Sequence, residues 1–415
     1  MSVDRVELVA IGNELLLGHT VDTNGAEIAR VLSALGVEVV RRAAVPDRPE
    51  EIASAVSEAL RRTGAVITTG GLGPTRDDVS KQVVADLYGV PVQFDEAVWS
   101  DIVTRFARVG RAPAASNRGQ AEVPRGATVL RNRWGTAPGL WLEGPRGLTI
   151  MLPGVPAEMR KLLELEVAPR LGARSGGAVV RSHLVRTTAI PESTLAERMG
   201  DVEREIAPLT LAYLPGTEGV DLRLTAWRMD PAEADRRLRA AADLVASRAG
   251  EHVYGEGDVD LAAVVLSGAR RAGLSLGAAE SCTGGLVGGR LTEVPGSSDV
   301  FVGAVVCYAD RIKTAMLDVP AELIAAHGAV SEPVARAMAE GARRRLSVDL
   351  AVSATGIAGP SGGTADKPVG TVWFGVAAPA GTDTRRVVFL GSRREVRERA
   401  TQMALYLLHR RLLAD

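Results

Sequence analysis

Ser281 lies in the run Ala278-Ala-Glu-Ser-Cys-Thr-Gly-Gly285, after the apolar Leu274 to Leu276 and before a helical stretch through Leu291. A strand-to-helix turn of this kind exposes a side chain and aims main-chain N–H groups, here near Thr283, Gly284 and Gly285, at whatever it holds. A serine at such a turn is also a common helix N-cap, so position alone does not assign it. Tyr308 ends the apolar strand Val300 to Tyr308, and Lys313 follows five residues later in the first turns of a helix. Both therefore project near one sheet edge. A lysine desolvated by apolar walls has a lowered pKa and accepts a serine proton, the logic of Ser–Lys variants of the catalytic triad. Tyr308 would relay a proton or orient the pair. An exposed Lys313 on a solvated helix face is the competing reading. The third component is the loop Thr355-Gly-Ile-Ala-Gly-Pro-Ser-Gly-Gly-Thr-Ala-Asp-Lys-Pro-Val-Gly370, between the apolar runs Leu350 to Ala354 and Thr371 to Val376. Its main chain at Gly356, Gly359, Gly362 and Gly363 can receive an anion, and Lys367 adds charge. A flexible crossover loop is the alternative. Cys282 is a rival nucleophile, but no histidine is near it in sequence, and a small buried hydrophobe is the simpler reading.

A second constellation lies toward the N-terminus. Thr69-Gly-Gly-Leu-Gly-Pro-Thr-Arg-Asp-Asp78 follows an apolar run and precedes a helix expected to begin near Val79. Gly70, Gly71 and Gly73 let N–H groups approach a phosphate, and a helix N-terminus adds partial positive charge. Asp77 and Asp78 are placed to hold a divalent ion that bridges a pyrophosphate, or one of them is an N-cap. Glu14, in Gly12-Asn-Glu-Leu-Leu-Leu-Gly18, leaves the first strand at its carboxyl end, with Asp22 and Asn24 close behind. The turns Asn132 to Gly139 and Pro153 to Glu158 complete four polar loops on one expected sheet edge, where open α/β sheets bind ligands.

The elements that must position these residues fall into three regions. In the first, residues 1–172, the apolar runs Val6 to Ile11, Val37 to Val40, Ala65 to Thr69 and Leu148 to Leu152 alternate with helical spacing, which reads as a parallel sheet between helices. The small residues Gly172 to Gly177 form a linker. Residues 178–255 show half-exposed alternation at His183 to Thr188 and Asp221 to Arg228, a small α+β module. After Gly255-Glu-Gly257, residues 258–415 return to strand and helix in alternation. The fold class is α/β, with the small α+β module between two α/β domains.

At 415 residues the chain is too long for one ordinary core. Lys and Arg total 49 against 50 Asp and Glu, so no global basic field exists to hold nucleic acid or an anionic membrane. Two cysteines exclude a disulfide framework and a four-cysteine zinc site, and the five histidines are scattered. No run reaches about 18 apolar residues and no leader pattern opens the chain, so the expected location is the cytoplasm.

The blocks Gly12-Asn-Glu-Leu-Leu, Thr69 to Asp78 and Pro153-Gly-Val-Pro-Ala-Glu-Met159 resemble the molybdopterin-binding-like domain of the CinA (competence/damage-inducible) proteins. The Ser281 turn, Tyr308 with Lys313, Gly328-Ala-Val-Ser-Glu332 and Gly356-Ile-Ala-Gly-Pro360 are similar to the C-terminal domain of the same family. The resemblance implies a three-layer N-terminal domain with metal-dependent ADP-ribose pyrophosphatase activity, in which Asp78 and Glu14 work around a diphosphate with a divalent ion of the Mg or Co type and Glu158 lies nearby. It implies a KH-type middle module and a homodimer. For the C-terminal domain it implies a nicotinamide mononucleotide deamidase without a cofactor: Ser281 the nucleophile, Lys313 the general base, Tyr308 the assisting hydroxyl. This chain departs from the family pattern at Ala309-Asp310, where Ser-Asn is usual, and at Gly359-Pro-Ser-Gly362. Asp310 is expected to pair with Lys313 and weaken it as a base. The KH-type module invites an RNA-binding role, but Gly216-Thr-Glu-Gly219 lies between strand-like segments and carries an acid where phosphate would bind, so nucleic acid is not an expected partner. The alternative to a two-headed pyridine-nucleotide salvage hydrolase is a binding or scaffold protein of DNA uptake with degenerate sites.

Overall fold

A computed structural model describes residues 3–414. The first eight strands are β1 (Arg5–Ile11), β2 (Glu38–Val45), β3 (Ala65–Thr69), β4 (Val92–Phe94), β5 (Glu122–Pro124), β6 (Thr128–Leu130), β7 (Gly139–Gly144) and β8 (Gly147–Leu152). β4 and β5 form a small antiparallel ladder, and the others form one sheet in the order β2-β1-β3-β8-β7-β6. β2, β1, β3 and β8 are parallel as the apolar runs require, whereas β7 and β6 add an antiparallel edge. All five residues of β3 are buried because helices cover both faces. Leu8 and Ile67 face a core with Ile28 and Leu32 of the helix Thr23–Ala34, while Val9 and Val66 face one with Ile52 and Val56 of the helix Pro49–Thr63. Successive strand residues thus serve opposite layers.

The register Ala10 to Thr69, Thr69 to Leu152, Met151 to Leu140 and Leu130 to Gly139 brings the ends of β1, β3, β8 and β6 to one edge. The loops after Gly12, Gly70, Asn132 and Pro153 all leave from it.

The middle strands β9 (Val179–Thr187), β10 (Thr210–Pro215), β11 (Val220–Met229) and β12 (Val253–Glu256) form a sheet in the order β10-β11-β9-β12. Gly216 to Gly219 is the hairpin turn joining β10 to β11, closed by Gly216 N–H donating to Gly219 O at 2.8 Å. Glu218 in that turn accepts from Arg186 at 3.1 Å and pairs with Arg290 at 3.0 Å. Its acid is therefore a structural partner for two guanidinium groups.

The last sheet comprises β13 (Leu276–Glu280), β14 (Phe301–Val306), β15 (Leu350–Gly356), β16 (Thr371–Ala378) and β17 (Gly381–Val388), in the order β14-β13-β15-β16-β17. β14, β13 and β15 are parallel, and β16 and β17 antiparallel. Ala278 joins a core with the helices Leu261–Ala272 and Arg393–Ala414, and Ala279 joins one with the helix Glu332–Leu346. The chain divides into two compact units: residues up to Arg181 with Ala226–Arg236, and Ser182–Thr225 with Arg237 onward. The middle module falls largely within the second. Among the described residues no helix is long and apolar enough to cross a membrane.

Candidate active site

Glu280, the last residue of β13, lies opposite Val306 of β14 and Ala354 of β15. The positions just beyond, Ser281, Cys307 and Thr355, therefore leave one carboxyl edge together. Ser281 is mostly buried, and its N–H donates to Ala354 O at 2.9 Å. The buried Glu280 carboxylate accepts from the N–H groups of Gly285 at 2.9 Å, Val287 at 3.1 Å and Gly288 at 2.8 Å. Hydrogen bonds to a charged group contribute roughly 1.5–3 kcal/mol each, so this acid pins the turn to the helix Leu286–Thr292. Gly284 and Gly285 sit at φ 61° and 97°, left-handed backbone that a Cβ would strain. Arg397 donates to Cys282 O at 3.1 Å and Thr283 O at 2.9 Å. The Ser281 turn is thus gripped by a carboxylate on its N–H groups and a guanidinium on its carbonyls.

Lys313, in the helix Asp310–Leu317, is only 1% exposed, which removes the solvated-face reading. Its Nζ donates to Tyr308 O at 3.2 Å and to Asp310 Oδ1 at 3.3 Å. The expected pairing with Asp310 is therefore present. Among the described residues no hydrogen bond joins Nζ to Ser281. Tyr308 is 61% exposed, and its hydroxyl accepts from Arg393 at 3.1 Å, so it meets Lys313 through its carbonyl and not its phenol. Arg393 also donates to Gly359 O at 2.7 Å, fastening the long loop to Tyr308. The Thr355 hydroxyl is spent on Ala329 O at 2.8 Å and the Lys367 amine on His327 O at 2.9 Å, while Gly362 and Gly363 are exposed and Gly356 continues β15. Thr283 Oγ1 is buried without a hydrogen-bond partner. Such a group costs about 1–3 kcal/mol. Burial pushes the Cys282 thiol up to about 12 and Cys307 up to about 11, so neither supplies a thiolate near neutrality.

In the first unit the carboxylates do not converge. Asp78 folds back on its own loop, accepting from Gly73 N–H at 2.7 Å and from Thr75 N–H at 2.8 Å and its hydroxyl at 2.5 Å. The following helix Ser80–Tyr88 is capped at Val79 with no side-chain bond, so neither Asp77 nor Asp78 is its N-cap. Asp77 and Glu14 are exposed. Glu158 accepts from Asn132 at 2.5 Å, and burial pushes its carboxyl up. A Cβ on Gly135 would lie 1.5 Å from its Oε2, so Glu158 props the 132–136 turn through the space that glycine leaves. Among the described residues no three His, Cys, Asp or Glu side chains gather to hold a metal ion. With Asp78 committed to its own loop, the described donors form no preassembled cage for a resident divalent ion. Lys81, 6% exposed, donates to Gly119 O, and burial lowers its amine to about 8 against the opposing pull of Glu122 and Asp78. Asn24 donates to Gly154 O at 2.8 Å, and its buried Oδ1 has no partner.

Sequence reasoning missed Glu280, Lys81, Arg393 and Arg397. Arg393 carried a signal: a cation in the first turn of a helix opposes its dipole, so it needed another reason to be there.

Three family models match the chain: a probable molybdopterin binding domain over residues 7–173, the damage-inducible protein CinA KH domain over 182–255, and the CinA C-terminal domain over 258–412. A CinA-like protein of Gemmatimonas aurantiaca is 52% identical over 409 residues, 98% of this chain and 96% of that protein. A putative competence-damage inducible protein of Symbiobacterium thermophilum is 44% identical over 98% of both chains. Among solved structures, the protein CinA from Thermoplasma acidophilum matches 39% of this chain and 95% of its own at 36% identity, with a TM-score of 0.37.

Proposed function

Because the chain belongs to the CinA family, we propose that its C-terminal region hydrolyses the carboxamide of nicotinamide mononucleotide to nicotinate mononucleotide and ammonia. Ser281 Oγ attacks the amide carbon as Lys313 Nζ takes its proton. The C–N bond then breaks, that proton leaves on ammonia, and water hydrolyses the resulting ester on Ser281. Gly285 N–H is spent on Glu280, so the oxyanion falls to the N–H groups of Thr283 and Gly284. Nζ must turn from Asp310 toward Ser281 to act. The observation that carries the reading is the burial of the Lys313 amine on the Tyr308 carbonyl, just past the end of the strand paired with the one that Ser281 follows. Ammonia release from nicotinamide mononucleotide tests it, with Ser281→Ala and Lys313→Met as controls. Equal background release by wild type and both variants overturns it and leaves the scaffold alternative.

A second reading concerns the first unit, where four loops meet at one sheet edge around a glycine turn that Asp78 holds in shape. We propose that it acts on the diphosphate of ADP-ribose, with Asp78 as a positioning residue. Hydrolysis of ADP-ribose with added magnesium or cobalt ions tests this, and inactivity with every ion defeats it. The protein is also proposed to be a homodimer, which sedimentation would decide.

A further inference from the structure

β14 ends the last sheet on one side, hydrogen-bonded among the described residues to β13 alone. The main-chain groups along its other side form a template for a further strand, which natural edges blunt with charge, proline or a bulge. The opposite edge, β17, carries Asp383, Arg385 and Arg386. β14 carries neither charge nor proline: Phe301 to Tyr308 reads Phe-Val-Gly-Ala-Val-Val-Cys-Tyr. Its one irregularity, a slip of one residue against β13, falls at Val302. The ladder is regular from Gly303 to Val306, and Cys307 N–H extends it by donating to Glu280 O at 2.8 Å. Every second residue is exposed: Val302 at 57%, Ala304, Val306 at 48% and Tyr308 at 61%. The helix Leu286–Thr292 and its N-cap Gly285 cover this strand with glycine. A Cβ on Gly288 would lie 3.0 Å from Ala304 Cβ, and one on Gly285 3.7 Å from Val306 Cγ2. Little hydrocarbon therefore covers the exposed strip.

We infer that a second copy of this chain pairs with β14 through the same strand, antiparallel about a two-fold axis, joining the two sheets into one. Because side chains alternate between faces, residues opposed across such an axis are separated by an even number in sequence. With the axis at Val305, Val302 lies opposite the partner's Tyr308 and Ala304 opposite the partner's Val306, so all four exposed residues meet an exposed one. An aromatic facing a β-branched residue is a favoured cross-strand pair. With the axis at Ala304, Tyr308 would instead face the partner's Val300, a position already buried in the single chain. The assignment rests on the homodimer reading and gives that dimer its face. Tyr308, whose carbonyl holds the Lys313 amine, is then covered by the partner's Val302.

Sedimentation velocity of the full chain, joined to disulfide trapping, tests it. The wild type should be a dimer, and Val302→Lys with Val306→Lys should raise its dissociation constant at least hundredfold while the circular dichroism of the folded chain is kept. Val305→Cys, opposite itself in this register, should give a disulfide-linked dimer with oxidised glutathione, since opposed Cα atoms lie about 4.5–5.5 Å apart. Ala304→Cys should not, because its two copies are offset by two residues. The wild type has only the buried Cys282 and Cys307 and should stay uncrosslinked. A monomeric wild type ends the homodimer reading and this one with it. A dimer that survives the lysine pair, or that fails to crosslink at position 305, overturns the β14 assignment alone. Where the lysine pair fails to fold, the cysteine trap decides.

Discussion

Lys313 and Asp310 form a 3.3 Å ion pair inside one helical turn, the amine buried and the acid exposed. On the proposed mechanism Asp310 competes with Ser281 for Nζ. Replacing Asp310 by Asn should free the amine and raise kcat for ammonia release by about three- to tenfold, a barrier change near 1 kcal/mol. An unchanged or lower kcat would mean that Asp310 does not restrain the base.

Cys282 is a bystander on this reading. Cys282→Ala should keep ammonia release within about threefold, because a thiol pushed up to about 12 is neutral at working pH. Loss of activity comparable to that of Ser281→Ala would transfer the nucleophile to sulfur.

Glu280 and Arg397 hold the same turn from opposite polarities. Glu280→Ala strands three N–H groups and should cost about 3 kcal/mol or more of stability, at about 1–3 kcal/mol for each buried donor left unpaired, read as a lower denaturation midpoint. Arg397→Ala should lower kcat at least tenfold with a smaller stability loss, since one side of the grip remains. Activity near that of the wild type in Arg397→Ala would refute the positioning role.

Lys81 predicts a pH signature in the first unit. Its folded amine, lowered to about 8, releases its proton before the unfolded one at about 10.4, so the unfolded state binds more protons between those values and stability rises with pH there. Relative to wild type, Lys81→Met should lose about 3 kcal/mol of advantage between pH 7 and 10.5, at 1.36 kcal/mol per unit. Parallel pH curves for the two proteins would contradict the buried amine.

His252 and His409 act in the second unit in the same sense. Burial lowers both imidazoles, so the unfolded chain takes up protons first as pH falls through about 6.5, and stability declines below it. A double replacement by Gln should flatten melting temperature between pH 7 and 5. A slope unchanged from wild type would place the acid sensitivity elsewhere.

The apolar runs of β1, β3, β13 and β15, and the glycine turns after them, were readable because burial on both faces and left-handed backbone each demand particular residue types. The antiparallel edge β6–β7 was not, since short strands take direction from partners and not from their own pattern. The placement of Ser281 and Thr355 along one edge follows from paired strand ends and was readable too. The bonds that decide their chemistry were not: the Tyr308 hydroxyl goes to Arg393, from 85 residues away, and Asp78 turns inward to Gly73 and Thr75. Rotamers and distant partners leave no trace in local spacing.

Glu218 binds Arg186 of the middle module and Arg290 of the last region at once, while Gln402 meets Thr188 at 3.3 Å and Tyr254 sits in the C-terminal core. Pruning the chain at residue 258 would uncover hydrocarbon around Tyr254 and leave Arg290 with Asp260 for counter-ion. A freestanding version of the C-terminal region would therefore need new surface chemistry at those seams, and the hairpin serves this protein as scaffolding on which that region depends.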